Sequence, residues 1–459
     1  MSLNLSDLRK QQQNLFYSSY TKDIKNRKKA LRKLRKVIIE KEDAICNALY
    51  ADFKKPKFES LVTETQFVLG EISHVLNKLE LWAKPKKVGA SLSSFPSKDW
   101  IQYEPFGSVL IISPWNYPFM LAISPLIGAI AAGNTVVLKP SENSPATSKI
   151  LFKIISSVFK SDHAVVIEGD AETSQDLLQK KWDYIFFTGS SRIGKIIYLS
   201  AAQHLTPVTL ELGGKNPCVI DESVPINLTA KRIVWGKFLN AGQTCVAPDY
   251  ILVHRTVKDE LIKHLIKNIK LFYGEEIEKS ADYARLASDI HFNRLKEMLA
   301  NKKLLFGGKT NSEDRYIEPT LLDEPNLESS VMQEEIFGPI LPILSYSSKE
   351  EIHRIITNYE KPLALYVFSR KKAFQKYMMT NFAFGGGAIN DTVIQITNKK
   401  LPFGGIGNSG IGTYHGKHSF ELFSHKKSII KKANWLDLPL RYAPYNLPLW
   451  IVKKIKLLF

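Results

Sequence analysis

Three observations predict an α/β fold with a doubly wound parallel sheet. Short apolar runs alternate with helical stretches from about residue 107 to 214. A second alternating block starts near residue 251. The unusual polar residues fall directly after the apolar runs. Apolar strands separated by helices pack as a parallel sheet covered on both faces, and such sheets bind ligands at the carboxyl ends of their strands.

The elements follow in order. "GSVLIIS" (107–113) is a strand stopped by Pro114, and "FMLAISPLIGAIAAG" is a helix ended by Gly133. "NTVVLKP" (134–140) is the next strand. Ser144 with Pro145 marks a helix start, since serine caps and proline suits the first turn. "HAVVIEG" and "YIFFTGS" are strands separated by the helical stretch "AETSQDLLQKK". "SRIGKIIYLSAAQHL" is a helix leading to the strand "PVTLELGG", and the pattern changes near Gly213–Gly214. "ILVH", "PILPILSYS", "ALYVFSR" and "GGAIND" carry the second block. "AKPKKVGASLSSFPSKDW" (83–100), rich in Pro, Gly and Ser, interrupts the first.

A chain of 459 residues with 44% hydrophobic and 24% charged residues reads as a globular protein of two or three domains. No apolar run is long enough to span a bilayer, and "MSLNLSDLRKQQQNLF" lacks the apolar core of a signal peptide, so a cytoplasmic protein is expected. Three scattered cysteines, Cys46, Cys218 and Cys245, make no disulfide framework, and no CxxC pair suggests zinc. The net charge is 63 − 45 = +18. Much of it lies in residues 21–41, where Leu31, Leu34 and Ile38 have helical spacing and the basic residues read as a solvated face. No stacking aromatics or docking motif accompany them, so no nucleic-acid partner is expected.

"FLNAGQTCVAPDY" places Cys245 among small and polar residues. Composition leaves a packing role and a nucleophilic role open. "GSSRIG", Gly189 to Gly194, follows a strand and opens a helix, a setting that favours a pyrophosphate. It departs from GxGxxG and lacks the GK[ST] of a P-loop.

In order along the chain, "PWNYP", "KPSE", "FTGSSRIG", "LELGGK", "NAGQTCVAPDY", "EEIFGP" and "PFGGIGNSGIG" together resemble the aldehyde dehydrogenase superfamily over nearly the whole chain. The short chain and "YHGKHSFELFSHK" look most like its class 3 branch, which includes fatty-aldehyde dehydrogenases. The resemblance implies a cofactor domain over 1–82 and 101–210, a catalytic domain over 211–397, bridging and oligomerisation segments at 83–100 and 398–430, a tail at 431–459, and a homodimer. It implies NAD(P)-dependent oxidation of an apolar aldehyde, medium or long chain or aromatic, to the acid through a cysteine thiohemiacetal and thioester.

The same resemblance assigns roles. Cys245 matches the nucleophile, Asn116 the oxyanion donor and Glu211 the general base that activates water. Lys139 and Glu142 match residues near the adenosine ribose, where a carboxylate favours NAD although class 3 members often accept NADP. Gly189, Ser190 and Gly194 form the phosphate turn. Glu335 and Phe337 match residues at the nicotinamide ribose and ring, with Glu334 the neighbouring candidate. Cys46 and Cys218 read as packing cysteines. No metal role is implied, and His415, His418 and His425 read as surface or interface histidines.

Two other readings compete. An acylating relative would pass the thioester to coenzyme A, but Glu211 favours water. A non-enzymatic protein on the same fold would usually have lost the nucleophile or the base. The tail "PLWIVKKIKLLF" places Ile451, Val452, Ile455, Leu458 and Phe459 on one helical face and Lys453, Lys454 and Lys456 on the other. That pattern fits peripheral contact with an anionic membrane and equally cover for an apolar groove.

Overall fold

The computed structural model describes residues 4–91, 93–437 and 442–454. Three sheets and a two-stranded ribbon organise them. The first sheet has six strands in the order Gly410–Ile411, Val208–Glu211, Tyr184–Thr188, Ser108–Ile112, Thr135–Lys139 and Ala164–Val166. The last five run parallel, and Gly410–Ile411 pairs antiparallel to Val208–Glu211. The three central strands are buried along their whole length, which is why they read as continuous apolar runs rather than alternating ones.

The chain winds from Ser108–Ile112 towards one edge, then returns to lay Tyr184–Thr188 on the other side. Strand order reverses between those two strands, and a crevice opens beyond their carboxyl ends. Pro114–Asn116 and Gly189–Ser190 flank it.

The second sheet has seven strands in the order Leu304–Phe306, Thr320–Asp323, Ile340–Tyr346, Tyr250–His254, Pro217–Ile220, Ala364–Phe368 and Gly386–Ile389. All pair parallel except Leu304–Phe306. The third is antiparallel and joins Lys86–Val88, Ser97–Pro105 and Ser424–Lys432. It links the interrupting segment of the first half to the end of the second.

Helix Met120–Ala132 is buried at every residue, between the first sheet and helices Ile24–Glu40 and Gln66–Ala83. In Ile24–Glu40, Leu31, Leu34 and Ile38 are fully buried, but Arg27 leaves the solvated face and is buried too. Its guanidinium donates to the carbonyls of Thr21 (2.7 Å), Lys22 (2.8 Å) and Ala131 (3.1 Å). It thereby satisfies a carbonyl at the end of Met120–Ala132.

Helix Pro145–Val158 starts at its proline, but Ser144 makes no side-chain capping bond. Asp52, on helix Glu42–Phe53, instead accepts the N–H groups of Ala146 and Thr147, both at 2.9 Å. A carboxylate interacts more favourably with a helix N-terminus than a hydroxyl does. At the other end, Leu449–Lys454 is helical, while Ile455, Lys456, Leu458 and Phe459 lie outside the described residues. Among the described residues, no helix is long and apolar enough to cross a membrane.

Candidate active site

Asn116 follows strand Ser108–Ile112 at the crevice and is buried. Its Nδ2 donates to the Gln243 carbonyl at 3.0 Å, and its own carbonyl accepts from Asn240 Nδ2 at 2.8 Å. An amide nitrogen carries two N–H bonds, so one remains for a ligand.

The loop bearing Cys245 leaves helix Ile226–Phe238 through three successive left-handed residues, Asn240 (φ 55°), Ala241 (φ 51°) and Gly242 (φ 75°). Such backbone is unfavourable for residues with a Cβ, and other contacts hold it. A Cβ on Gly242 would overlap the Gly338 carbonyl, so only glycine fits. Gln243 Nε2 donates to the carbonyls of Asn240 and Arg285, both at 3.0 Å, and its Oε1 accepts from Ala287 N–H at 3.0 Å. Asn216 Nδ2 donates to the carbonyls of Cys245 (2.7 Å) and Ala247 (3.0 Å). Cys245 therefore sits half-buried on a loop fixed from both sides. The other two cysteines are buried, Cys46 in a helix and Cys218 in a strand.

Glu211 ends strand Val208–Glu211, is 2% exposed, and neither carboxylate oxygen has a hydrogen-bond partner. Burial holds its pKa well above the usual carboxylate range. Glu335 accepts the Gly214 N–H, and burial, then the nearby Asp249, push it up to about 8. A Cβ on Gly213 would overlap the Glu335 carboxylate, which explains the first glycine of "LELGGK". The Cys245 thiol is pushed up to about 12, first by burial and then by Glu335 and Glu211, partly offset by the backbone N–H groups of Cys245 and Val246. Burial thus shifts the thiol and both carboxyls toward their protonated forms.

Two cavities meet at the thiol. A cleft of 740 Å³ is lined by Trp115, Asn116, Ser190, Glu211, Glu335 and Phe337, among others. A tunnel of 100 Å³ is lined largely by apolar side chains, including Phe67, Met120, Trp235, Val393 and Phe403. Cys245 and Leu121 belong to both walls.

The cleft fits a dinucleotide. Helix Ser191–Ala202 opens at its wall, with Ser190 Oγ accepting from Ile193 N–H at 3.5 Å. Helix N-termini favour pyrophosphate. Thr188 Oγ1 and both Glu211 oxygens are buried in the wall without protein partners, as a site awaiting polar ligand atoms would have them. Gly189 and Gly194 serve packing as well. A Cβ on Gly189 would meet the Phe187 ring, and one on Gly194 would approach Leu212 Cδ2 to 2.8 Å. Lys139 and Glu142 lie outside this wall, Lys139 as the last residue of the neighbouring strand Thr135–Lys139 and Glu142 just beyond it, paired at 2.7 Å.

Several supporting residues escaped the sequence reading. Lys215 and Asp249 form a buried ion pair at 2.5 Å. Lys215 also donates to the carbonyls of Val331 (2.6 Å) and Glu334 (2.8 Å), while Asp249 accepts the Ile336 N–H at 3.0 Å. Arg294 donates to the carbonyls of Glu335 (3.1 Å) and Ile336 (2.6 Å), and His291 Nε2 lies 2.8 Å from the Phe337 carbonyl. The backbone around Glu335 is held from both sides. The one local signal was the i, i+3 spacing of His291 and Arg294, which places them on one helix face. Glu334 is exposed and faces Arg294 at 3.4 Å.

The three C-terminal histidines do not share a helix face. His415 precedes helix Lys417–Leu422, His418 lies in it, and His425 is on strand Ser424–Lys432. His415 departs from the surface expectation: it is 4% exposed, stacks on Phe403 at 5.1 Å and lines the tunnel. Its left-handed backbone (φ 83°) turns it inward.

Comparison with known proteins finds relatives over nearly the whole chain. The model of the family described as "Aldehyde dehydrogenase family" matches residues 10–429. The chain is 49% identical over 433 residues to 4,4'-diaponeurosporen-aldehyde dehydrogenase of Staphylococcus aureus, covering 94% of both proteins. It is 43% identical over 431 residues to the dimeric NADP-preferring aldehyde dehydrogenase of Canis lupus familiaris, covering 94% of this chain and 95% of that one. The solved structure described as the substrate-bound state of Staphylococcus aureus AldH superposes with a TM-score of 0.96 at 46% identity, covering 98% of this chain and 99% of that one.

Proposed function

The chain belongs to the aldehyde dehydrogenase family, and from that premise we propose how its residues divide the work and which aldehydes it takes. It is an NAD(P)-dependent aldehyde dehydrogenase. The observation that carries the assignment is the position of Cys245, in the wall of both the polar cleft and the apolar tunnel. A cofactor in one and an aldehyde in the other would meet at its sulfur.

In this reading Cys245 releases its proton to solvent, and the thiolate adds to the aldehyde carbon and forms a thiohemiacetal. The free N–H of Asn116 and the Cys245 backbone N–H stabilise the oxyanion. A nicotinamide cofactor, when bound, would supply the hydride acceptor. Collapse of the oxyanion leaves a thioester on Cys245. Glu211 takes a proton from water, the hydroxide equivalent attacks the thioester, and the acid leaves with the thiol restored. A carboxylate with a raised pKa is the stronger base for that step. Gly189, Ser190 and Gly194 would shape the pyrophosphate turn, Glu335 and Phe337 would hold the nicotinamide end, and Lys139 with Glu142 would receive the adenosine ribose.

The substrate is an apolar aldehyde. The narrow tunnel walled by Phe67, Met120, Trp235 and Phe403 supports an extended hydrocarbon, and the Staphylococcus aureus relative is named for 4,4'-diaponeurosporen-aldehyde. Exposed Leu449, Trp450 and Val452 on the C-terminal helix support peripheral contact with a membrane that would supply such a substrate. Similarity to a relative named as dimeric supports a homodimer.

The test is NAD(P)H formation over aldehydes of increasing chain length. Turnover should rise with chain length and vanish in Cys245→Ser; normal turnover by that variant would refute the nucleophile. Deletion of residues 447–459 should weaken binding to anionic liposomes. Unchanged liposome binding and long-chain activity would remove the tail from the account.

A further inference from the structure

Behind the thiol lies a charge pair that the reaction does not touch. Lys55 and Glu64 are both fully buried, with Lys55 Nζ 2.7 Å from Glu64 Oε1. Taking two charges out of water is costly unless further bonds satisfy them. Here those bonds lead to the reacting centre from two directions.

Glu64 lies in the π-helical turn Leu61–Thr65, a geometry that re-aims side chains and recurs at functional sites. Its Oε2 accepts the N–H groups of Phe119 (3.1 Å) and Met120 (2.8 Å). It thus caps helix Met120–Ala132, which has no capping side chain of its own. Asn116 leads directly into that capped turn. The Lys55 ammonium rests 3.9 Å from the centre of the Tyr117 ring. Tyr117 Oη and Thr244 Oγ1 share a hydrogen bond of 2.6 Å, and Thr244 adjoins Cys245. Glu59, from the same part of the chain, accepts the N–H of Asn240 at 3.0 Å, at the first left-handed residue of the loop.

We propose that Lys55 and Glu64 are positioning residues that keep Asn116 and the Thr244–Cys245 backbone in mutual register, so that the oxyanion donor and the sulfur address one carbonyl group. This rests on the roles given above to Asn116 and Cys245. Neither Lys55 nor Glu64 is among the residues that line the cleft or the tunnel. The pair acts through the capped helix start and through the Tyr117 ring.

The experiment compares Glu64→Gln, Lys55→Met and the double variant with the native enzyme and with Cys245→Ser. Misplacement of reacting groups by about 1 Å costs roughly 100-fold in rate. Accordingly kcat should fall by up to about that factor while KM for the aldehyde stays within about twofold. The isotope effect from an aldehyde deuterated at C1 should rise, because bond breaking at C1 becomes limiting. Affinity for NAD+, read by fluorescence quenching, should not change. The double variant leaves no lone buried charge, so it should regain thermal stability without regaining rate. Tyr117→Phe removes only the oxygen facing Thr244 and tests the same link if the single-charge variants do not fold; it too should lower kcat.

Native kcat in Glu64→Gln, in the double variant or in Tyr117→Phe would overturn the proposal. So would activity lost only in proportion to unfolded protein, with an unchanged isotope effect. If Cys245→Ser is dead while these variants keep native rates, positioning fails and the nucleophile stands; if Cys245→Ser turns over, the underlying reading fails.

Discussion

Asn116 and Gln243 join the two halves of the site directly, side-chain Nδ2 to backbone carbonyl at 3.0 Å. One comes from the corner after the central strand of the first sheet, the other from the loop that enters the second. This bond fixes one amide hydrogen and leaves the other for the proposed oxyanion contact. Asn116→Ala should therefore lower kcat by about 100- to 1,000-fold, the usual cost of losing one oxyanion donor, with little change in aldehyde KM. Steady-state kinetics with a medium-chain aldehyde checks this, and a purely structural role would show as lost protein rather than lost kcat.

Gly213 makes room for Glu335, and any side chain there would overlap the carboxylate. Gly213→Ala should push Glu335 out of place and raise the KM for NAD+ by about tenfold, equivalent to roughly 1.4 kcal/mol. Aldehyde KM should move less. Titration with NAD+ at saturating aldehyde reads the effect, and an unchanged cofactor KM would separate Glu335 from cofactor binding.

Asp52 caps helix Pro145–Val158 from a distant helix, and its Oδ2 also accepts from the Thr147 hydroxyl at 2.7 Å. Removing a charged acceptor from buried donors costs about 1.5–3 kcal/mol. Asp52→Ala should lower the denaturation midpoint accordingly while the folded enzyme keeps its activity. A midpoint equal to native would mean that Ser144 takes over the cap.

Burial pushes Glu59 and Glu71 up to about 7 and Glu335 up to about 8, from 4.5. Between those limits the folded chain holds protons that the unfolded chain has released. Their contribution is complete below 4.5 and is lost as pH rises through 7 to 8. The buried histidines His163, His291 and His415 have depressed values, so their contribution is present above 6.5 and does not change in this window. Melting temperature should therefore fall between about pH 6.5 and 8, and Glu71→Gln should reduce the fall. An unchanged fall in that variant would place the titration elsewhere.

The sequence showed the parallel sheet because its central strands are buried on both faces and read as unbroken apolar runs. It also placed the polar motifs after those strands, where the switch in strand order opens a crevice. Asn116, Glu211 and Cys245 stood in motifs, and the structure brings all three to one cleft. What stayed hidden depends on long-range contact. Lys55 looks like any lysine in a basic stretch until its pairing with Glu64 under Tyr117 is seen. Asp52 caps a helix that starts at Pro145, and Lys215 holds the backbone beside Glu335. His415 reads as a surface residue because only its backbone twist turns it inward. No local spacing encodes such contacts.

The most direct test of the central claim is intact and peptide mass spectrometry of Glu211→Gln incubated with an apolar aldehyde and NAD+. If Glu211 serves the hydrolytic step, the acyl-enzyme should accumulate as one acyl group on the Cys245 peptide, and only when NAD+ is present. An enzyme that turns over aldehyde with no adduct at Cys245, or with the acyl group on Cys46 or Cys218, would contradict the account.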